Sequence, residues 1–139
     1  MKIIEAITLL KNACLVNDAA IRKNLHLTPA EFNGILAIED SEEISCQTLS
    51  RKMGLSVSRG SRVINKLIEK KYLSGKKLNN DKRCSQISLT DKGIKAREEI
   101  LEMIDECEKK ITAILTESQV NETKKCLNRL IDIFESQNS

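Results

Sequence analysis

With 139 residues, 40% of them hydrophobic, the chain has enough apolar side chains to close one domain around a core and too many to be a disordered segment. Aromatic residues make up only 2% against 31% charged, which excludes an aromatic-rich binding cleft and favours long helices with aliphatic seams. A formal net charge of +3 conceals strong polarity: residues 45 to 85 hold eleven Lys/Arg against Glu69 and Asp81, while the remaining twelve basic residues face eighteen acidic ones.

A first helix is expected from Ile3, with Ile3, Ile7, Leu10 and Cys14 at spacings of four, three and four and Ile21 on the same seam. Thr28-Pro29-Ala30-Glu31 supplies a capping hydroxyl, a proline at the first helical position and a glutamate to complete a capping box. A second helix therefore runs from Pro29 to near Glu39, carrying Phe32, Ile35, Leu36 and Ile38. The acidic stretch from Glu39 to Glu43 makes a solvated loop, Ile44 a short segment, and Ser45 the cap of a third helix over Cys46 to Met53. Gly54-Leu55-Ser56 reads as a turn, because glycine suits the left-handed position after a helix and Ser56 can cap the next one. Together these elements make a helix-turn-helix. In its second helix Gly60, Val63, Ile64 and Leu67 share one face, leaving Ser58, Arg59, Arg62 and Lys66 on another. A glycine inside a helix costs about 1 kcal/mol relative to alanine, so this helix is expected to be locally loose at Gly60.

Two short segments, Tyr72 to Leu78 and Ser85 to Leu89, flank the turn-rich Asn79-Asn80-Asp81-Lys82, which predicts a hairpin standing beside the helix-turn-helix as a wing. After Thr90, another cap, a long charged helix carries Ile100, Ile104, Cys107, Ile111 and Ile114 at alternating spacings of four and three, a seam that wants a partner helix. Thr116-Glu117-Ser118-Gln119 repeats the capping-box pattern and opens a last helix presenting Val120, Leu127, Leu130, Ile131 and Phe134. The two ends of the chain together are expected to form a helical dimerisation region, residues 1–26 and 94–139, around a winged helix-turn-helix region at 27–93, all within one domain. The fold class is thus mainly α with a small β-wing.

The eleven basic residues fall on the helix-turn-helix and the hairpin, and clustered Lys/Arg is the electrostatic footprint of binding to the phosphates of duplex DNA. No apolar run is long enough to span a membrane, and Glu5, Lys11 and Asn12 interrupt the N-terminus too early for a signal peptide, so a cytoplasmic protein is expected. Five cysteines without close pairs suit reduced thiols, and no Cys/His spacing suits a metal. Neither a nucleophile elbow nor a phosphate-binding glycine loop is present, so no enzymatic activity and no cofactor are expected.

The stretch Leu49-Ser50-Arg51-Lys52-Met53-Gly54-Leu55 to Lys66-Leu67-Ile68-Glu69-Lys70, with Asp81-Lys82-Arg83 and Leu89-Thr90-Asp91-Lys92-Gly93 after it, resembles the MarR family of transcription regulators in both order and spacing. The resemblance extends back through Leu27-Thr28-Pro29-Ala30-Glu31-Phe32. It implies a homodimer of winged helix-turn-helix subunits, clasped by terminal helices, that binds a palindromic operator, usually represses, and loses DNA affinity when a small ligand or oxidant acts. On matching positions it places Ser58, Arg59, Ser61 and Arg62 at the major groove, Arg83 on the wing entering the minor groove, and Asp81 as the brace of that wing; Ser56, Lys66 and Lys82 complete the candidate DNA-binding residues. Two departures stand out: Gly60 where the family usually has an apolar residue, and Lys71-Tyr72 in place of the common Gly-Leu at the entry to the wing.

One branch of that family senses peroxide through a first-helix thiolate, where Cys14 lies; Cys14 is, however, on the apolar seam, where a buried structural thiol is expected. Cys46 starts a helix and Cys84 follows Lys82 and Arg83, settings that favour thiolate, and these three are the candidate redox residues. His26 lies close to where the family forms a ligand crevice, between the dimerisation helices and Leu27 to Ile38. Two alternatives stay open beside a ligand-released repressor: a thiol-based redox regulator of the same fold, and a winged-helix module that binds protein.

Overall fold

The computed structural model describes the backbone of residues 1–77 and 84–137, and the side chains of 1–14, 24–76 and 86–137. Among the described residues, six helices and two strands follow one another as α1 (Ile3–Leu25), α2 (Pro29–Leu36), α3 (Cys46–Lys52), α4 (Val57–Glu69), β1 (Leu73–Lys77), β2 (Cys84–Leu89), α5 (Asp91–Ile114) and α6 (Glu117–Gln137). The chain divides into two compact units, Met1–Ile100 and Leu101–Ser139.

Hydroxyl caps start α2, α3, α4 and α5. Thr28, Ser45 and Ser56 sit in extended conformation and accept hydrogen bonds from the amides of Glu31, Thr48 and Arg59. Thr90 Oγ1 does the same for Gly93 N at 3.1 Å. Expectation and structure differ in three places. The second helix ends at Leu36 rather than near Glu39: Ala37 caps it, and the chain turns out of the helix so that Ile38 and Ile44 both reach the core, at 0% and 5% exposure. The capping box at Thr28 is only half made, because the Glu31 carboxylate pairs with Lys70 instead of returning to the cap. Nor is α4 interrupted at Gly60, which is buried within an unbroken helix.

The core of this unit is aliphatic. Ile35, Leu49, Ile64, Leu67, Ile87 and Ile100 are all fully buried, bringing together α2, α3, α4, β2 and α5. Burying each such side chain stabilises by about 1.5–3 kcal/mol, so these contacts fix the angle between α3 and α4. The strands pair antiparallel, Leu73 opposite Leu89 through Lys76 opposite Gln86, with the register shifting after Lys76 so that Lys77 meets Cys84. Ile44 adds a single bridge on the other edge of β2, exchanging backbone hydrogen bonds with Ile87 at 2.9 and 2.7 Å.

The N-terminal half of α1 has no such partner. Ile3, Ile4, Leu9 and Leu10 are more than half exposed, and Cys14 is exposed too, so the buried thiol expected there is not found within the single chain.

In the second unit, Thr116 and Gln119 complete the predicted capping box in both directions, amide to hydroxyl at 3.2 Å and amide to carboxamide at 2.9 Å. Lys124 and Glu108 pair across the helices at 3.4 Å. No residue of α6 is buried, and Leu127, Ile131, Ile133 and Phe134 are 40–51% exposed. Among the described residues no helix is long and apolar enough to cross a membrane.

Candidate nucleic-acid interface

The turn between α3 and α4 is closed by the backbone. Gly54 takes the left-handed conformation at φ 70° and donates to Arg51 O, while Leu55 N donates to Ser50 O, both at 3.0 Å. Where the two helices cross, Ser50 and Gly60 lie in direct contact: Ser50 is fully buried with its hydroxyl satisfied by Cys46 O at 2.7 Å, and a side chain at position 60 would overlap it. Close approach here presses one face of α4, with Gly60, Ile64 and Leu67 buried, onto the core and turns the opposite face outward.

That outward face carries the predicted residues. Ser56, Ser58, Arg59, Arg62 and Lys66 are exposed, and Ser61 is half-buried beside Cys46, with Oγ 3.5 Å from Sγ. Among the described residues neither Arg59 nor Arg62 is ion-paired, while Lys66 reaches Glu69 at 3.4 Å on the surface, a contact of little strength. A row of unpaired guanidinium groups beside hydroxyl donors, on a helix projecting from a rigid support, can meet phosphates electrostatically and base edges by hydrogen bonds. Asp81, Lys82 and Arg83, predicted for the wing, lie outside the described residues, as does the side chain of Cys84.

The acidic loop between α2 and α3 engages other basic residues. Lys52 reaches Glu42 at 3.3 Å, Lys76 of the wing reaches Glu43 at 3.5 Å, and Arg97 of α5 reaches Asp40 at 3.6 Å. The Glu42 carboxyl is held below its ordinary range first by the hydrogen bond from Glu39 N, at 3.0 Å, and next by Lys52.

Sequence reasoning missed the root of the wing. Lys70 turns inward to Glu31, Lys71 adopts a left-handed φ of 67°, and Tyr72 buries its ring and donates its hydroxyl to Leu25 O at 2.8 Å. Lys92 Nζ sits 4.4 Å over that ring and donates to Lys70 O at 2.9 Å. Burial raises the Tyr72 phenol above its usual value, against the partial opposition of Lys70. Glu31 and Lys70 are 39 residues apart and each is an ordinary surface type, so no local pattern signalled the pair. An open depression of about 520 Å³ lies at this root, lined by Ile68, Lys71, Leu73, Ser74, Thr90 and Lys92.

Residues 27–85 match the MarR family. The transcriptional repressor MprA of Escherichia coli K12 is 24% identical over 127 residues, covering 87% of this chain and 72% of that protein. In fold the chain is similar to Streptococcus pneumoniae FabT, solved in complex with DNA, at a TM-score of 0.84, 20% identity and coverage of 97% and 96% of the two chains. Staphylococcus aureus MarR, solved with salicylate and kanamycin, superposes with a TM-score of 0.85 at 16% identity, over 96% of this chain and 90% of that one.

Proposed function

From the match of residues 27–85 to the MarR family we propose that this winged helix-turn-helix protein is a homodimeric, sequence-specific regulator of transcription that binds duplex operator DNA and represses by occluding a promoter. The observation that carries this reading is the division of α4 into a buried face of Gly60, Ile64 and Leu67 and an exposed face of Ser58, Arg59, Arg62 and Lys66. Arg59 and Arg62 offer bidentate donors to guanine O6 and N7, Lys66 a charge for phosphate, and Lys82 and Arg83 the wing's approach to the minor groove. The regulator is cytoplasmic and non-enzymatic. Residues 27–93 are its DNA-binding region and 1–26 with 94–139 its clasp. Exposed apolar side chains on α1, the distal part of α5 and α6 support that clasp, since they need a second copy to cover them. Dimerisation spaces two recognition helices about 34 Å apart, one turn of DNA. A small ligand acting where α1 meets Leu27 to Ile38 releases the operator by favouring a different spacing.

Fluorescence anisotropy of the chain on its own upstream DNA and on a scrambled duplex, across a salt series and beside Arg62→Ala, tests this. Sequence-preferring binding that falls steeply with salt, with the preference lost in the variant, is expected. Equal, salt-insensitive binding to both duplexes would favour a protein-binding role for the winged helix.

A second reading rests on the 3.5 Å contact between Cys46 Sγ and Ser61 Oγ on the reading helix. Peroxide converting that thiol to a sulfenic acid, with release of water, inserts an oxygen into the contact and displaces Ser61. Loss of DNA affinity on peroxide treatment that Cys46→Ser abolishes supports it; unchanged affinity of the treated wild type rejects it.

A further inference from the structure

Lys70 stands with ten other basic residues in the sequence and reads as one more phosphate contact. Its surroundings give it a different role. Nζ lies 2.6 Å from Glu31 Oε2 and 2.9 Å from the carbonyl of His26, a residue whose φ of 54° turns that carbonyl out of the end of α1. The Glu31 side chain is only 5% exposed. A carboxylate that far from water needs a hydrogen-bonded counter-charge, so moving the ammonium to a DNA phosphate would strand it. Just beyond, Tyr72 OH donates to Leu25 O, and Lys92 grips Lys70 O. The C-terminal end of the reading helix is thereby tied to the end of α1, the first turn of α2 and the start of α5.

We propose, resting on the DNA-binding reading above, that Lys70 is a positioning residue: paired with Glu31, it fixes the angle at which α4 is presented to DNA and makes no contact with DNA itself. The lever is long enough to matter. Eight residues separate Arg62 from Lys70, about 12 Å along the helix, so a tilt of about 10° moves Arg62 by about 2 Å. That is enough to break a bidentate contact, whose bonds span about 2.7–3.2 Å. A positioning residue and a phosphate contact differ in what their loss changes. Loss of a phosphate contact weakens all sequences alike and flattens the salt dependence by about 0.9 in slope, whereas loss of orientation erodes preference and leaves the slope alone.

The test uses the full chain, a duplex enriched from random DNA by the wild type, and a scrambled duplex, with anisotropy measured across a salt series. Lys70→Met, folded by circular dichroism, should bind the enriched duplex at least tenfold more weakly, with the ratio between duplexes collapsing and the salt slope unchanged. Glu31→Met combined with Lys70→Met should recover most of that loss, because no stranded charge remains. Should Lys70→Met fail to fold, Glu31→Gln gives the same discrimination: the ratio falls if the pair positions α4 and is unchanged if Lys70 contacts phosphate. An equal loss on both duplexes with a shallower slope, or wild-type behaviour in the folded variant, overturns the positioning role alone. If the wild type enriches no sequence, the DNA-binding reading falls and this inference with it.

Discussion

Gly60 lies against Ser50 so closely that a Cβ at position 60 would overlap the serine's Oγ and Cβ and stand 3.0 Å from its Cα. Replacing an internal helical glycine with alanine ordinarily stabilises a helix by about 0.5–1 kcal/mol. Here the sign reverses. Gly60→Ala forces α3 and α4 apart, and overpacking of this kind costs about 1–3 kcal/mol, read from the midpoint of urea unfolding. Adding Ser50→Gly removes the overlapping atoms and should return part of the loss; a Gly60→Ala variant as stable as wild type would show that the helices can separate freely.

Lys71 gives the opposite expectation. It occupies the left-handed position after α4, with Lys71 N donating to Ile68 O and Tyr72 N to Leu67 O, at 3.0 and 2.9 Å, the pattern in which glycine is usual. A left-handed non-glycine residue costs about 1–2 kcal/mol. Lys71→Gly should raise stability by about 1 kcal/mol in the same unfolding experiment, and a fall would mean that the lysine side chain holds the root of the wing.

Two groups contribute pH dependence of opposite sign. Burial raises the Tyr72 phenol, so the folded state keeps its proton longer than the unfolded chain; stability is full below about pH 10 and declines as pH climbs past it. Tyr72→Phe should remove that alkaline decline while losing about 1 kcal/mol at neutral pH with the bond to Leu25 O. Glu42 is lowered by Glu39 N and Lys52, so its contribution is present above the ordinary carboxyl value and is lost as pH falls from there through the lowered one. Glu42→Gln should flatten the acid limb alone, measured by thermal melts from pH 3 to 7.

Clasp formation is tested at Ile131, 51% exposed on α6. Ile131→Asp adds a charge to a face with no buried residue, so each chain should keep its helix content while self-association weakens at least tenfold in sedimentation velocity. A dimer of undiminished affinity would place the clasp elsewhere.

The sequence was most legible where short-range chemistry decides the outcome. Serine and threonine caps located the starts of α2, α3, α4 and α6, and alternation of Gly60, Ile64 and Leu67 with Arg59 and Arg62 divided α4 into its two faces. It was least legible where a side chain had two possible partners. Glu31 had its capping amide three residues away and Lys70 39 residues away, and the distant ammonium won because only it compensates a buried charge. Gly60 read as a weak point for the same reason: its cost is local, whereas the contact with Ser50 that requires it belongs to another helix. The end of α2 was overrun because Ile38 continues the helical periodicity yet reaches the core from a turn.

The single bridge between Ile44 and Ile87 also bears on how these molecules behave when crowded. It caps one edge of the hairpin at its midpoint, which leaves β1 as the open edge, and Lys76 stands on that strand. A lysine on an open edge discourages pairing with the same edge of another molecule. That single lysine thereby hinders the chain from stacking edge to edge into fibres.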